Sequence, residues 1–178
     1  MTGHRFSIER LTGDYPVTAF RCGDDDLDEF LHRDAWMLQQ ADLAQTYLAT
    51  ESGVLAGYVT LLSDSIWITE DELTCLNLPA HAPRNIPALK VGRIASSKTH
   101  RGRGAGTTLM RFARSRLMAI SQEAGCRLLT VDSYPVRVSF YEHLGFVHNQ
   151  HPSYQGKRRT NVSMRFDAAA PTLPDWTR

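Results

Sequence analysis

The segment Arg101-Gly102-Arg103-Gly104-Ala105-Gly106 constrains the fold more than any other part of this chain. It lies between a strand-like run, Ala88–Ser97, and a strongly amphipathic run, Thr107–Ala124. Glycines let the backbone take positive φ angles and let a ligand approach the main chain. The helical turn that follows carries unpaired N–H groups and the positive end of a dipole. Strand, turn and helix therefore predict an anion cradle suited to a phosphate or pyrophosphate, with Arg101 and Arg103 adding charge at its rim. A dinucleotide-binding turn would read GxGxxG, with an acidic residue about 20 positions further on. Here the glycines fall as GxGxG, and Asp132 lies beyond that distance. A P-loop would end in Gly-Lys-Ser/Thr, and Gly106-Thr107 lacks the lysine. The plain alternative is a connection that only turns the chain.

The rest of the chain supplies elements around this turn. Phe6–Leu11 reads as a short strand, and Asp24–Asp42 as a helix with acidic residues crowding its first turn. Thr46–Thr50 and Val54–Leu62 read as a hairpin around the three-residue loop Glu51-Ser52-Gly53. Thr69-Glu70-Asp71-Glu72 is a capping-box pattern opening a short helix. Pro79, Pro83 and Pro87 then predict an irregular loop. Thr107–Ala124 places Leu109, Phe112, Ala113, Leu117 and Ile120 on one helical face, and Gly125 ends it. Cys126–Asp132 reads as a buried strand and Val136–His143 as a short helix. Phe146–His148 and Asn161–Phe166 close the pattern as strands around the loop Gln150–Thr160. The order β-α-β-β, loop, β-α-β-α-β-β predicts one mixed α/β (α+β) domain over residues 1–167, with residues 168–178 as an irregular tail.

Bulk properties exclude more than they propose. A net charge of +1 advertises no nucleic-acid or membrane field, and no apolar run reaches transmembrane length. The odd set Cys22, Cys75 and Cys126 forms no CxxC pair, which predicts a reduced, cytoplasmic setting with buried thiols. His148 and His151 lack a third ligand of convincing type, so no metal is expected. Lys157-Arg158-Arg159 and the trio Arg111, Arg114 and Arg116 read first as solvated surface; gathered on one face, they could hold an RNA backbone.

At the glycine turn the sequence resembles the GNAT acetyltransferases, whose cofactor motif reads Gln/Arg-x-x-Gly-x-Gly/Ala. Arg101, Gly104 and Gly106 meet its three fixed positions. A second hallmark, FYxxxGF, is matched by Phe140-Tyr141-Glu142-His143-Leu144-Gly145-Phe146. The resemblance implies a mostly antiparallel central sheet with a splayed central strand, flanked by helices. It implies acetyl-CoA as co-substrate, held by Arg101, Gly102, Arg103, Gly104, Ala105, Gly106 and Thr107. It assigns the main chain of Ile94, Ala95 and Ser96 to the pantetheine arm, and Ser133 to the position where relatives carry asparagine. Tyr141 takes the place of the tyrosine that donates a proton to the leaving thiolate.

Direct acyl transfer needs a free amine, a polarised carbonyl and a protonated leaving group. No covalent enzyme intermediate is required. Asp64, Asp132, His100 and His143 are base-type residues by chemistry, and none is singled out by the sequence. The resulting expectation is an N-acetyltransferase acting on a primary amine of a small molecule or protein. Phe20-Arg21-Cys22-Gly23, Leu27–Leu31 and Gly57-Tyr58 are similar to a GNAT branch that includes toxins acetylating aminoacyl-tRNA. That likeness makes aminoacyl-tRNA the alternative acceptor, with an antitoxin as partner, and it leaves room for a homodimer. A non-catalytic acyl-CoA-binding module is the remaining alternative.

Overall fold

The computed structural model describes residues 5–156, 159–170 and 176. Its elements follow the chain as β1 (Ser7–Arg10), α1 (Asp25–Glu29), α2 (Ala35–Gln40), β2 (Gln45–Glu51), β3 (Val54–Trp67) and α3 (Glu70–Cys75). Then come β4 (Asn85–Ser96), α4 (Ala105–Ala124), β5 (Leu128–Ser133), α5 (Val138–His143), β6 (Val147–His148) and β7 (Val162–Asp167). The strands form a seven-stranded sheet in the order β1-β2-β3-β4-β5-β7-β6, so the strand before the glycine turn is the central one. The pairs β1–β2, β2–β3, β5–β7 and β6–β7 are all antiparallel. The chain packs as two compact units, Met1–Leu62 with Val91–Ala113, and Ser63–Lys90 with Arg114–Arg178.

In the first unit, Asp24 caps the helix by accepting from the Leu27 N–H at 3.3 Å. The expected single helix is interrupted: a π-turn over Phe30–Asp34 separates α1 from α2. Buried Gln39 ties that helix down, donating to the Leu11 carbonyl at 2.7 Å and accepting from the Thr46 N–H at 3.0 Å. Between β2 and β3 the loop is two residues, not three, because Glu51 pairs with Val54. Ser52 and Gly53 both take positive φ, 51° and 79°, the mirror-image turn that suits the twist of a hairpin. Leu11, Phe20, Leu31, Ala35, Leu48, Tyr58 and Ala95 form the core here. Each fully buried aliphatic side chain contributes roughly 1.5–3 kcal/mol. Gly57 is required by packing: a Cβ there would sit 2.6 Å from the Ala95 carbonyl oxygen.

In the second unit, Thr69 and Glu72 make the expected capping box around α3. The proline-rich stretch ends sooner than its prolines predict, since β4 starts at Asn85 and contains Pro87. A proline is tolerated near a strand start, and its carbonyl still accepts from the Arg127 N–H at 3.0 Å. β5 pairs with β7 from Leu128↔Asp167 to Ser133↔Val162. Ile66, Ile68, Leu73, Leu76, Ile86, Ala88 and Leu128 pack into one cluster.

Two surface expectations change. Arg114 is no solvated helix residue, because its guanidinium lies 5.5 Å from the Phe166 ring and 5.2 Å from the Trp176 ring. Residue 176 is anchored: the Trp176 ring is buried and its indole N–H donates to the Leu144 carbonyl at 2.9 Å. Cys75 is exposed, so only Cys22 among the three free thiols is fully buried. Lys157, Arg158 and tail residues 171–175, 177 and 178 lie outside the described residues.

Candidate active site

The cradle in the first unit starts from β4. Ala95 is buried, Ile94 and Ser96 are half-buried, and the Ser97 N–H donates to the Ala56 carbonyl at 2.8 Å. A 3-10 turn over Lys98–His100 leads into the glycines. Gly102 and Gly104 take φ of 75° and 90°, and a Cβ built on either meets nothing within 4 Å. The turn therefore faces open space on the side where glycine leaves the backbone bare. Helix α4 begins at Ala105, two residues earlier than the apolar period predicts. Its hydrogen-bond ladder opens with the Thr108 N–H on the Gly104 carbonyl at 3.0 Å. The amides of Ala105, Gly106 and Thr107 precede that ladder, and with the dipole of this long helix they fit an anionic group.

Both arginines of the turn are engaged within the protein. Arg101 Nη2 donates to the Cys22 carbonyl at 2.5 Å, tethering the cradle to the loop before α1. That loop is itself pinned, since the Cys22 N–H donates to Asp28 Oδ1 at 2.8 Å. Burial pushes the Asp28 carboxyl up, but its bonds from Cys22 and Gly23 outweigh this and hold it below the ordinary carboxylate value. Arg103 reaches Glu51 at 3.2 Å, and the buried His100 reaches the same carboxylate at 3.3 Å. His100 Nδ1 also lies 2.8 Å from Ser97 Oγ, so His100 braces the turn.

The sequence assigns no role to Arg93 or to Asp28, which lies within the Leu27–Leu31 segment. Arg93, directly before Ile94, lies 5.2 Å over the Phe30 ring and 3.9 Å from Asp26. Phe30 stacks on Tyr58, whose hydroxyl donates to the Leu27 carbonyl at 2.7 Å. Burial raises the Tyr58 phenol far above its ordinary value, so it stays protonated. The acidic first turn at Asp24–Asp28 was the one available signal for these contacts.

Ser133 and Tyr141 belong to the second unit. Ser133 ends β5, is buried, and its hydroxyl donates to the Tyr134 carbonyl at 2.9 Å. Tyr141 sits on α5 behind a 3-10 turn over Pro135–Arg137. Its ring meets Phe140 edge-on at 5.1 Å and Phe146 at 5.6 Å, and only 5% of the residue is exposed. Burial pushes its phenol up to about 12, against a smaller opposing pull from Arg137. The phenol thus keeps its proton throughout the physiological range.

The base-type residues are all engaged. Asp64 accepts from the Thr130 hydroxyl at 2.7 Å, and Asp132 accepts from Lys90 at 2.7 Å. His143 donates to the Ser139 carbonyl at 2.6 Å. Among the described residues there is no group of three or more His, Cys, Asp or Glu able to hold a metal, and no helix long and apolar enough to cross a membrane.

Against known proteins, a family model described as an acetyltransferase (GNAT) domain matches residues 42–148. A tRNA-acetylating toxin of Mycobacterium tuberculosis is 25% identical over 142 residues, 77% of this chain and 81% of the relative. A probable toxin TacT of Sinorhizobium fredii is 27% identical over 139 residues, 72% of this chain and 76% of that protein. Among solved structures, AtaT complexed with acetyl-methionyl-tRNAfMet superposes with a TM-score of 0.77 at 24% identity, covering 91% of this chain and 94% of that one.

Proposed function

Since this chain belongs to the GNAT acetyltransferases and transfers acetyl groups from acetyl-CoA, we propose that its acceptor is the amino group of aminoacyl-tRNA and that it acts as a toxin. The observation that carries this reading is its likeness, over 77% of the chain, to a relative named for acetylating tRNA. The relatives favour that acceptor over the small-molecule or protein amine that the motifs alone put first. A toxin of this kind requires a neutralising antitoxin, which is the protein partner this reading adds.

In this scheme the amides of Ala105, Gly106 and Thr107 and the bare backbone at Gly102 and Gly104 hold the CoA pyrophosphate. Arg101 acts by fixing the cradle to the Cys22 loop, and Arg103 contributes charge from its place beside Glu51. The main chain of Ile94, Ala95 and Ser96 lines the pantetheine arm, and Ser133 stands at the end of β5 where relatives carry asparagine. Acetyl-CoA supplies an activated acyl group as a thioester. The neutral amine attacks the thioester carbon, the C–S bond breaks with its electron pair moving to sulfur, and the nitrogen loses its proton to solvent.

Tyr141 serves the leaving sulfur. Burial holds the Tyr141 phenol well above its ordinary value, so it meets the departing sulfur in its protonated form. Tyr141 therefore acts chiefly by donating a hydrogen bond as negative charge builds on sulfur. Any proton it does release is regained from solvent, so the residue turns over unchanged.

The test is direct. Purified protein is incubated with acetyl-CoA and a mixed pool of charged tRNA, and the terminal nucleosides are analysed by mass spectrometry. N-acetylated aminoacyl-adenosine is expected, with turnover reduced on the order of 10²-fold in Tyr141→Phe. Induction in a bacterium should arrest growth, and Tyr141→Phe should relieve the arrest. Unmodified tRNA together with normal growth at high expression would sink the reading.

A further inference from the structure

The β2–β3 hairpin carries an irregularity beside the cradle. Its pairing runs evenly from Gln45↔Leu61 to Ala49↔Gly57 and then shifts, so that Thr50 faces Leu55 and Glu51 faces Val54. Ala56 is the extra residue, a β-bulge, and its carbonyl accepts from the Ser97 N–H at 2.8 Å. Bulges re-aim the side chains next to them. Ala56 also shares a small buried cluster with Phe6 and with Ala105, the first residue of α4. The hairpin end is thus bonded to the chain just after the cofactor strand and packed with the start of the cradle helix.

Glu51, at that hairpin end, meets three groups with one carboxylate. Its Oε1 accepts from Arg5 Nε at 2.5 Å, while Oε2 lies 3.3 Å from His100 Nε2 and 3.2 Å from Arg103 Nη2. The Arg5 hydrogen bond above all, with the Arg103 charge behind it, holds this carboxyl below its ordinary value. Two of the three partners belong to the turn. His100 is buried, its Nδ1 lies 2.8 Å from Ser97 Oγ, and its carbonyl accepts from the Arg103 N–H at 3.2 Å. Glu51 therefore grips the turn at residues 100 and 103, on either side of Arg101 and Gly102.

A negative charge beside an anion site needs a reason. By its field alone, Glu51 would repel a pyrophosphate, and an uncharged residue in its place would tighten the cofactor. Its contacts give the opposite sign, because the groups it holds set the shape of the turn.

We propose that Glu51 is the positioning residue of the cofactor cradle, clamping His100 and Arg103 so that the turn presents its open backbone to the CoA pyrophosphate. The proposal rests on the placement of that pyrophosphate at the turn under the proposed function.

Calorimetry with CoA on the full chain tests it, using Glu51→Gln, which keeps the side-chain shape and removes the charge. Affinity should fall about fivefold while the number of sites per chain is unchanged. In amide NMR spectra of the cofactor-free variant, the Gly102 and Gly104 signals should move, whereas Gly13, beside Trp36, should stay in place. His100→Asn keeps a polar group for Ser97 Oγ and withdraws the reach to Glu51. It should weaken CoA about threefold by itself and add little to Glu51→Gln, because both changes open one clamp. Unchanged or tighter CoA binding in Glu51→Gln would overturn the proposal, since the carboxylate would then act by its field or not at all. Fewer sites at unchanged affinity would also overturn it, by marking a general loss of folded protein. Fully additive losses in the double variant would separate Glu51 from His100 and dissolve the clamp. Gly104→Asp keeps the two readings apart. If it binds CoA like the wild type, the pyrophosphate lies elsewhere and the placement falls, taking the clamp with it. If it loses CoA while Glu51→Gln does not, the clamp alone falls.

Discussion

The two units of this molecule commit charge in opposite ways. In the first, the anion cradle is written in backbone: two glycines at positive φ, three leading amides of α4 and open space in front of them. In the second, charge is driven inside. Arg165 and Glu72 form a contact pair with side chains only 6% and 4% exposed, and Arg165 also donates to the His148 carbonyl and Asn149 Oδ1. Glu72 further accepts from the Gln150 N–H at 2.8 Å and from the Thr69 N–H at 2.8 Å. A backbone site tolerates side-chain changes nearby, whereas a buried pair is intolerant of losing either member.

The largest effect should follow from breaking that pair. Glu72→Ala leaves a buried guanidinium without its carboxylate and should cost about 3–5 kcal/mol in urea unfolding. It also removes one half of the capping box at α3. In the first unit, Glu29 and Arg33 form a pair with side chains 62% and 74% exposed. Arg33→Ala should therefore cost no more than about 0.5 kcal/mol. Equal losses in the two variants would erase the contrast.

Next in size is the cradle itself. Gly104→Asp should cut CoA affinity by on the order of 10²-fold, since a carboxylate would enter the space kept for the pyrophosphate. The cost in stability should be smaller, about 1–2 kcal/mol, because a side chain at φ 90° is strained but meets no neighbour. Calorimetry with CoA separates the two effects. Unchanged affinity would move the cofactor away from this turn.

The same contrast explains what the sequence made legible. The glycine turn was readable because backbone conformation depends on local residue type, and the period of Leu109, Phe112, Ala113 and Leu117 announced the helix behind it. The capping box at Thr69 and Glu72 was readable for the same local reason. The Arg165 to Glu72 pair joins residues far apart in the chain, so no local pattern could reveal it. Arg93 over Phe30, and Arg114 between Phe166 and Trp176, are likewise products of tertiary packing. The π-turn at Phe30–Asp34 leaves no mark in the sequence, because its apolar residues still fit a helical period. Pro87 reads as loop in the sequence but lies in β4, because a proline argues against a strand interior and not against a strand start.

The smallest expected effect is an absence, and it tests whether Tyr141 is as deeply withdrawn from water as its surroundings imply. Burial among Phe140 and Phe146 puts its phenol at about 12, so the protonated, hydrogen-bond-donating form persists up to that pH. The acceptor amine behaves oppositely, because only its neutral form attacks, and an α-amino group loses its proton near pH 7.7–8.0. The value of kcat/KM should therefore rise about tenfold per pH unit below roughly 7.7, level off by about pH 9, and show no falling limb up to pH 10. A phenol at its ordinary value near 10 would instead bend the profile downward at that edge. Short assays with a stability control at each pH distinguish the two curves. A descending limb centred near 10 that is missing in Tyr141→Phe would place Tyr141 in contact with water and return the second unit's chemistry to the solvent-exposed pattern of the first.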